Sequence, residues 1–162
     1  MPTTRTEKDA CDLLDADHKA VKKLFNAYDE LAGSKARGAA QKRLDIAREI
    51  CKELKVHTQI EEEILYPALR EAFKETDIVA EAEVEHAGAK DLIPPRDALQ
   101  EADEMFDAKV KVLGEYIDHH VKEERNEMFP KARANRKLDL VAMRDDLAAR
   151  KEELLAEAGA LA

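Results

Sequence analysis

The chain has 162 residues and 44% hydrophobic content, enough for one well-formed core but not for two independent domains. With 39% charged residues, five Gly and no Trp, it favours long helices with solvated faces over strands, which need more aromatic and β-branched residues. A formal net charge of −9, with basic residues interleaved among acids, works against a nucleic-acid partner.

The start, Met1-Pro2-Thr3-Thr4-Arg5, lacks an apolar export run, and no later stretch approaches the roughly 20 apolar residues of a membrane span. The expected compartment is the cytoplasm, with no membrane partner. The first helix is expected from about Glu7 to Leu31, with Leu14, Val21, Leu24, Phe25, Tyr28 and Leu31 on one stripe. Gly33 to Gly38 reads as a loop. A second helix starts near Ala39, buries Ala47, Ile50, Leu54, Ile64 and Leu65, and bends or ends around Tyr66-Pro67. Asp77 can cap a third helix carrying Ile78, Val79, Ala82, Ala89 and Ile93.

Pro94-Pro95 must break that helix, because neither ring donates a backbone hydrogen bond, and Arg96 to Asp103 follows as a linker or short helical turn. A fourth helix from about Glu104 presents Phe106, Val110, Leu113 and Ile117, and reaches Phe129-Pro130. Leu138 to Leu155 reads as a fifth amphipathic helix packed across the others or against a partner. The fold class is therefore all-α, a four-helix bundle over residues 1–135 with an additional C-terminal helix in 136–162.

An internal repeat carries the chemistry. His57 and Glu61 precede Tyr66-Pro67 at the same offsets by which His120 and Glu124 precede Phe129-Pro130. Each motif lies on the second helix of a helical hairpin whose first helix carries one histidine, His18 or His86. Residues four apart share a helix face, so each His-x-x-x-Glu pair can serve one centre. All six residues interrupt apolar seams: His57 follows Leu54, Glu61 precedes Ile64, and His120 and Glu124 continue Leu113 and Ile117. A buried carboxylate without a partner costs several kcal/mol, so the pattern asks for compensating cations. Imidazole with bridging-capable carboxylate favours two iron ions, with manganese or zinc as alternatives.

Taken singly, each feature has a plainer explanation: an interior histidine is commonly a hydrogen-bonded core residue, and a lone His-x-x-x-Glu an exposed ion pair. The repeated constellation outweighs that. His119, one position around the helix from His120, reads as an outer or surface group, as do Glu62, Glu63 and Glu123. Cys11 and Cys51 read as free core thiols, set at opposite heights about 20 Å apart at 1.5 Å per residue.

At these residues the chain resembles the hemerythrin-like, HHE cation-binding family, over about residues 10 to 135. The resemblance implies an up-down-up-down bundle around a μ-oxo or hydroxo di-iron centre. It also implies that His18 and His57 bind one iron, that His86 and His120 bind the other, and that Glu61 and Glu124 bridge them. The chain departs from the oxygen carriers of that family in having Lys90 where they place a further histidine, and Glu124 in place of their more distant Asp. These differences weaken an assignment to reversible oxygen carriage.

The function expected is binding of O2, NO or peroxide, or sensing of iron or redox state. Alternatives are a di-iron peroxidase, catalase-like or NO-reducing enzyme, and a metal-stapled helical interaction module with a protein partner or a second copy at the C-terminal helix. Lys90 could steady a peroxide anion or extend to solvent as a boundary lysine.

Overall fold

The structure, a computed structural model, describes residues 7–93 and 103–160. The expected break at Pro94-Pro95 and the linker up to residue 102 lie outside the described residues. Helix α1 (Ala10–Leu31) starts later than the expected Glu7 because Asp9 caps it. Asp9 Oδ1 accepts from the Asp12 amide at 3.0 Å, and Asp12 Oδ2 accepts from the Asp9 amide at 2.9 Å. This reciprocal box satisfies two amides that the helix itself leaves without partners.

The turn that follows uses Gly33 and Gly38 at φ 72° and 79°, a left-handed backbone that residues with a Cβ rarely adopt. Helix α2 (Ala39–Ile60) then runs through a π-helical turn, Glu61–Leu65, into α3 (Tyr66–Ala72). The second half repeats this: α5 (Glu104–Glu123), a π-helical turn at Glu124–Met128, and α6 (Phe129–Ala134). The prolines explain both wide turns. In an unbroken α-helix the rings of Pro67 and Pro130 would meet the carbonyls of Glu63 and Asn126, four residues back, and would offer those carbonyls no N–H. The ladder widens instead, with the Tyr66 amide bonding to the Glu61 carbonyl and the Phe129 amide to the Glu124 carbonyl, each five residues back.

Between these rods lies α4 (Asp77–Leu92), whose cap is Thr76 rather than the expected Asp77. The Thr76 carbonyl accepts from the amides of Val79 and Ala80 at 3.1 and 3.0 Å, while Asp77 sits in the first turn, where its charge complements the helix dipole. Close approach of α4 to α5 depends on Gly88, where a Cβ would stand 2.3 Å from the Tyr116 hydroxyl.

Together α1, α2–α3, α4 and α5–α6 make an up-down-up-down four-helix bundle, and α7 (Leu140–Ala160) is the added helix, packed along α1, α2 and the first π turn. The core has two apolar layers. One holds Leu14, Ile60, Leu65, Leu69, Met128 and, from α7, Leu147. The other holds Val21, Phe25, Ile50, Leu54, Phe106 and Leu113. Cys11 belongs to the first layer and Cys51 to the second, both buried and free, in keeping with thiols set at opposite heights. The buried His and Glu residues lie where these layers meet.

Leu147 is fully shielded, so α7 is held by the core as well as by surface charges. Leu147→Ala is expected to cost 2–5 kcal/mol, roughly the range for emptying a buried leucine site. Urea unfolding would show this as a lower midpoint with unchanged slope; a loss below about 1 kcal/mol would mean that α7 is not part of the cooperative core.

Candidate metal centre

Four helical rods bring His18, His57, Glu61, His86, His120 and Glu124 together, all of them buried. Their donor atoms form two overlapping groups, His18, His57, Glu61 and Glu124 in one, and Glu61, His86, His120 and Glu124 in the other. Within each group the two imidazoles meet through Nε2: 3.1 Å separates His18 from His57, and 3.1 Å separates His86 from His120. The carboxylates lie between these pairs. Glu124 Oε1 is 2.7 Å from His120 Nε2, Glu124 Oε2 is 3.2 Å from His18 Nε2, and Glu61 Oε1 meets His57 Nε2 and lies 3.9 Å from His86 Nε2.

Two observations test whether a pair of cations fits this arrangement. Both Glu61 oxygens and Glu124 Oε2 are sealed from solvent and have no hydrogen-bond partner. Such atoms are costly unless something positive satisfies them. The outward Nδ1 atoms point the same way, since each of the four faces a carboxylate: Asp15 for His18 at 3.6 Å, Asp17 for His57 at 3.1 Å, Glu62 for His86 at 3.3 Å and Glu85 for His120 at 3.6 Å. A carboxylate beyond Nδ1 holds the proton there and leaves the inward Nε2 lone pair free for a cation. The residues present fit the pair.

Three of these outer carboxylates are themselves held by cations. Arg125 pairs with Asp15, Lys151 of α7 reaches Asp17 at 2.5 Å, and Lys90 spans both Glu62 oxygens at 2.7 Å. Lys90 is thus neither aimed at the centre nor simply extended to water; it anchors the carboxylate behind His86. Arg150 of α7 similarly grips Glu63, within the first π turn, at 2.7 Å.

The π turns add what the spacing alone did not reveal. A turn that bonds residues five apart brings the aromatic after the motif back onto the face of its glutamate. Tyr66 consequently donates to Glu124 Oε1 at 3.1 Å and stands 3.0 Å from His86 Nε2, while Phe129 lies parallel to His18 at 6.2 Å. Burial and then the Glu61 and Glu124 charges raise the Tyr66 hydroxyl well above its ordinary pKa, so it stays a proton donor. The shared Glu-x-x-x-x-aromatic-Pro spacing was the sequence signal for Tyr66; Asp15 and Asp17, close to His18 in the chain, had none.

Against the four histidines lies a cavity of about 10 Å³, room for one molecule the size of water. Val21, Leu54, Ala89, Ile117 and Val121 line it together with the four imidazoles. His119 faces outward, 70% exposed, and pairs with Glu123 at 3.0 Å, so it stands apart from the inner group.

Four rods that converge four imidazoles and two carboxylates on one buried point define a cation-binding helical bundle. The chain belongs to the hemerythrin HHE cation binding domain family, whose model matches residues 9–132. A DNA nickase from Nostoc sp. (strain PCC 7120) is 31% identical over 124 residues, which cover 76% of this chain and 33% of that protein. The chain spans about a third of the length of that curated relative. Among solved structures, a hemerythrin HHE cation binding domain-containing protein from Mycobacterium kansasii superposes with a TM-score of 0.72 at 23% identity, covering 94% of this chain and 90% of that one. Within the described residues no helix is long and apolar enough to cross a membrane.

Without a cation, protons take its place. Burial and the Glu124 charge push Glu61 up to about 7, against the lowering effect of His57. Burial alone would lower His57 and His120, yet the neighbouring carboxylates raise them to about 10 and about 9. A cation entering the group must displace protons held at these raised values, so affinity is expected to climb as pH rises from about 6.5 towards 9, by about tenfold per pH unit for each proton displaced. Competition with a chromogenic chelator across that range would measure it. A flat profile would show that His57, Glu61 and His120 are not groups a metal meets.

Proposed function

We propose that the chain is a non-haem di-iron protein of the cytoplasm that binds a small ligand, O2, NO or peroxide, or reports iron and redox state through the same centre. In this reading His18 and His57 hold one iron, His86 and His120 the other, and Glu61 and Glu124 are shared. The observation that carries it is the overlap of two four-donor groups in two carboxylates, each imidazole backed by a further carboxylate. Mixed imidazole and carboxylate donors suit iron better than a thiolate-seeking ion, with manganese and zinc as alternatives. When bound, an iron pair supplies electron exchange and a coordination position open to a small ligand.

The remaining tasks fall to the chain. Asp17 and Glu62 hold the His57 and His86 rings by their Nδ1 atoms, and Tyr66 fixes Glu124 by donating to Oε1. The apolar wall of Val21, Leu54, Ala89, Ile117 and Val121 keeps bulk water and large molecules from the histidine side, which supports a diatomic or peroxide-sized ligand. Helix α7 buries Leu140, Met143, Leu147 and Leu154 against the bundle, so its apolar face is occupied within the chain and the interaction-module reading loses its main support. The nicking activity of the Nostoc relative is not carried over: only a third of that protein is spanned, and a net charge of −9 opposes a phosphate backbone.

Iron-replete protein is expected to carry two iron ions per chain, with near-ultraviolet bands that vanish on reduction. Anaerobically reduced protein mixed with O2, NO or H2O2 should form a spectrally distinct adduct. Sustained consumption of H2O2 or NO above that of free iron would instead identify an enzyme. Glu61→Ala and Glu124→Ala should each lose one or both metals and the melting-temperature gain that metal confers, about 2.7 kcal/mol of stability when free metal is a hundredfold above Kd. Full metal content in either variant would remove that glutamate from the centre.

A further inference from the structure

The fourth outer carboxylate breaks the pattern of the other three. Asp15, Asp17 and Glu62 each carry a lysine or arginine, whereas among the described residues neither Glu85 nor Glu123 is paired with one. Where that cation would stand, an open vestibule of about 570 Å³ faces solvent, lined by Glu81, Glu85, Tyr116, His119 and Glu123 among others. Glu85 comes from α4, and His119 and Glu123 come from α5 one helical turn apart.

One donor atom from each of Glu85, His119 and Glu123 lies within 4.8 Å of the other two. An ordinary surface His–Glu pair would account for His119 and Glu123, but not for Glu85, whose Oε2 is sealed from solvent without a hydrogen-bond partner. Its other oxygen faces His120 Nδ1, equally unpartnered, on a side chain only 6% exposed that is aimed into the cluster from within. The orphan Oε2 asks for positive charge, and the buried Nδ1–H of His120 asks that Glu85 stay ionised, which a cation held at Glu85 would ensure.

We propose that Glu85, His119 and Glu123 form a further divalent-cation site at the mouth of this vestibule, separate from the inner centre. A transition-series ion suits two carboxylates and one imidazole, and it would supply behind His120 the positive charge that Arg125, Lys151 and Lys90 supply behind the other three histidines. The net negative charge of the chain favours the approach of such an ion.

Mn2+ is the probe, because it stands at the weak end of the divalent affinity order and does not displace iron from the inner centre. Tag-free, iron-loaded protein is titrated with Mn2+, and the fall in the free-ion electron paramagnetic resonance signal counts the bound metal. One Mn2+ per chain is expected, with affinity at least tenfold weaker in both His119→Ala and Glu123→Gln. Both positions reach solvent, and unchanged melting temperatures would establish that the variants fold. No bound Mn2+ in the unmodified protein, or a smaller loss in either variant, overturns the site.

Discussion

Everything in this bundle is arranged around two glutamates that have no business inside an apolar core. Glu61 and Glu124 are almost completely shielded from solvent, and they lie close enough for each charge to act on the other. A lone buried carboxylate would neutralise itself or cost several kcal/mol, and two together are worse. Four imidazoles converging on the pair do not resolve this by themselves, because three of the four carboxylate oxygens still lack a hydrogen-bond partner. Cations resolve it, and the rest of the structure holds the six groups where cations can. The two apolar layers clamp the four rods on either side of the polar group, so the histidines cannot swing out to water without opening the core.

Charge alternates outward from that point. Inner carboxylates meet imidazoles, imidazoles meet outer carboxylates, and three of those meet a lysine or arginine. This ordering lets a chain of net charge −9 concentrate acid around a buried centre without tearing it open. It also gives α7 a role beyond covering apolar surface. Lys151 and Arg150 connect it to Asp17 behind His57 and to Glu63 two residues beyond Glu61, so the added helix tightens the half of the centre contributed by α1 and α2.

The bundle and its converging residues were legible because helical periodicity fixes which residues share a face. Leu54, His57, Glu61 and Ile64 cannot all lie on one seam of a helix by accident of loop geometry. What stayed hidden depended on the third dimension. Asp17 adjoins His18 in the chain but serves His57 on the neighbouring helix, a relation that no spacing encodes. The sequence allows Lys90 either the centre or the solvent, but its partner, Glu62, lies 28 residues away on another rod. The start of α1 moved for a local reason: the side chains of Asp9 and Asp12, three residues apart, each accept from the other's amide and set the first turn more firmly than an apolar stripe does. Pro67 and Pro130 announced an interruption, but a kink, a helix end and a π turn share that sequence sign, and only the backbone hydrogen bonds distinguish them.

Those π turns also show where two repeated halves part company. Each half lays down the same histidine, glutamate, aromatic and proline at the same offsets, and each wide turn swings its aromatic over a histidine of the other hairpin. In one half the aromatic is Phe129, which offers His18 only a face. In the other it is Tyr66, whose hydroxyl enters the centre beside His86 and holds Glu124. Lys151 and Arg125 stand behind the His18–His57 pair, while the His86–His120 pair has Lys90 on one side and the open Glu85 vestibule on the other. A backbone that is nearly twofold therefore carries two half-centres of different polarity and access. The second, with a hydroxyl beside it and solvent one carboxylate away, is the more polar and the more accessible half.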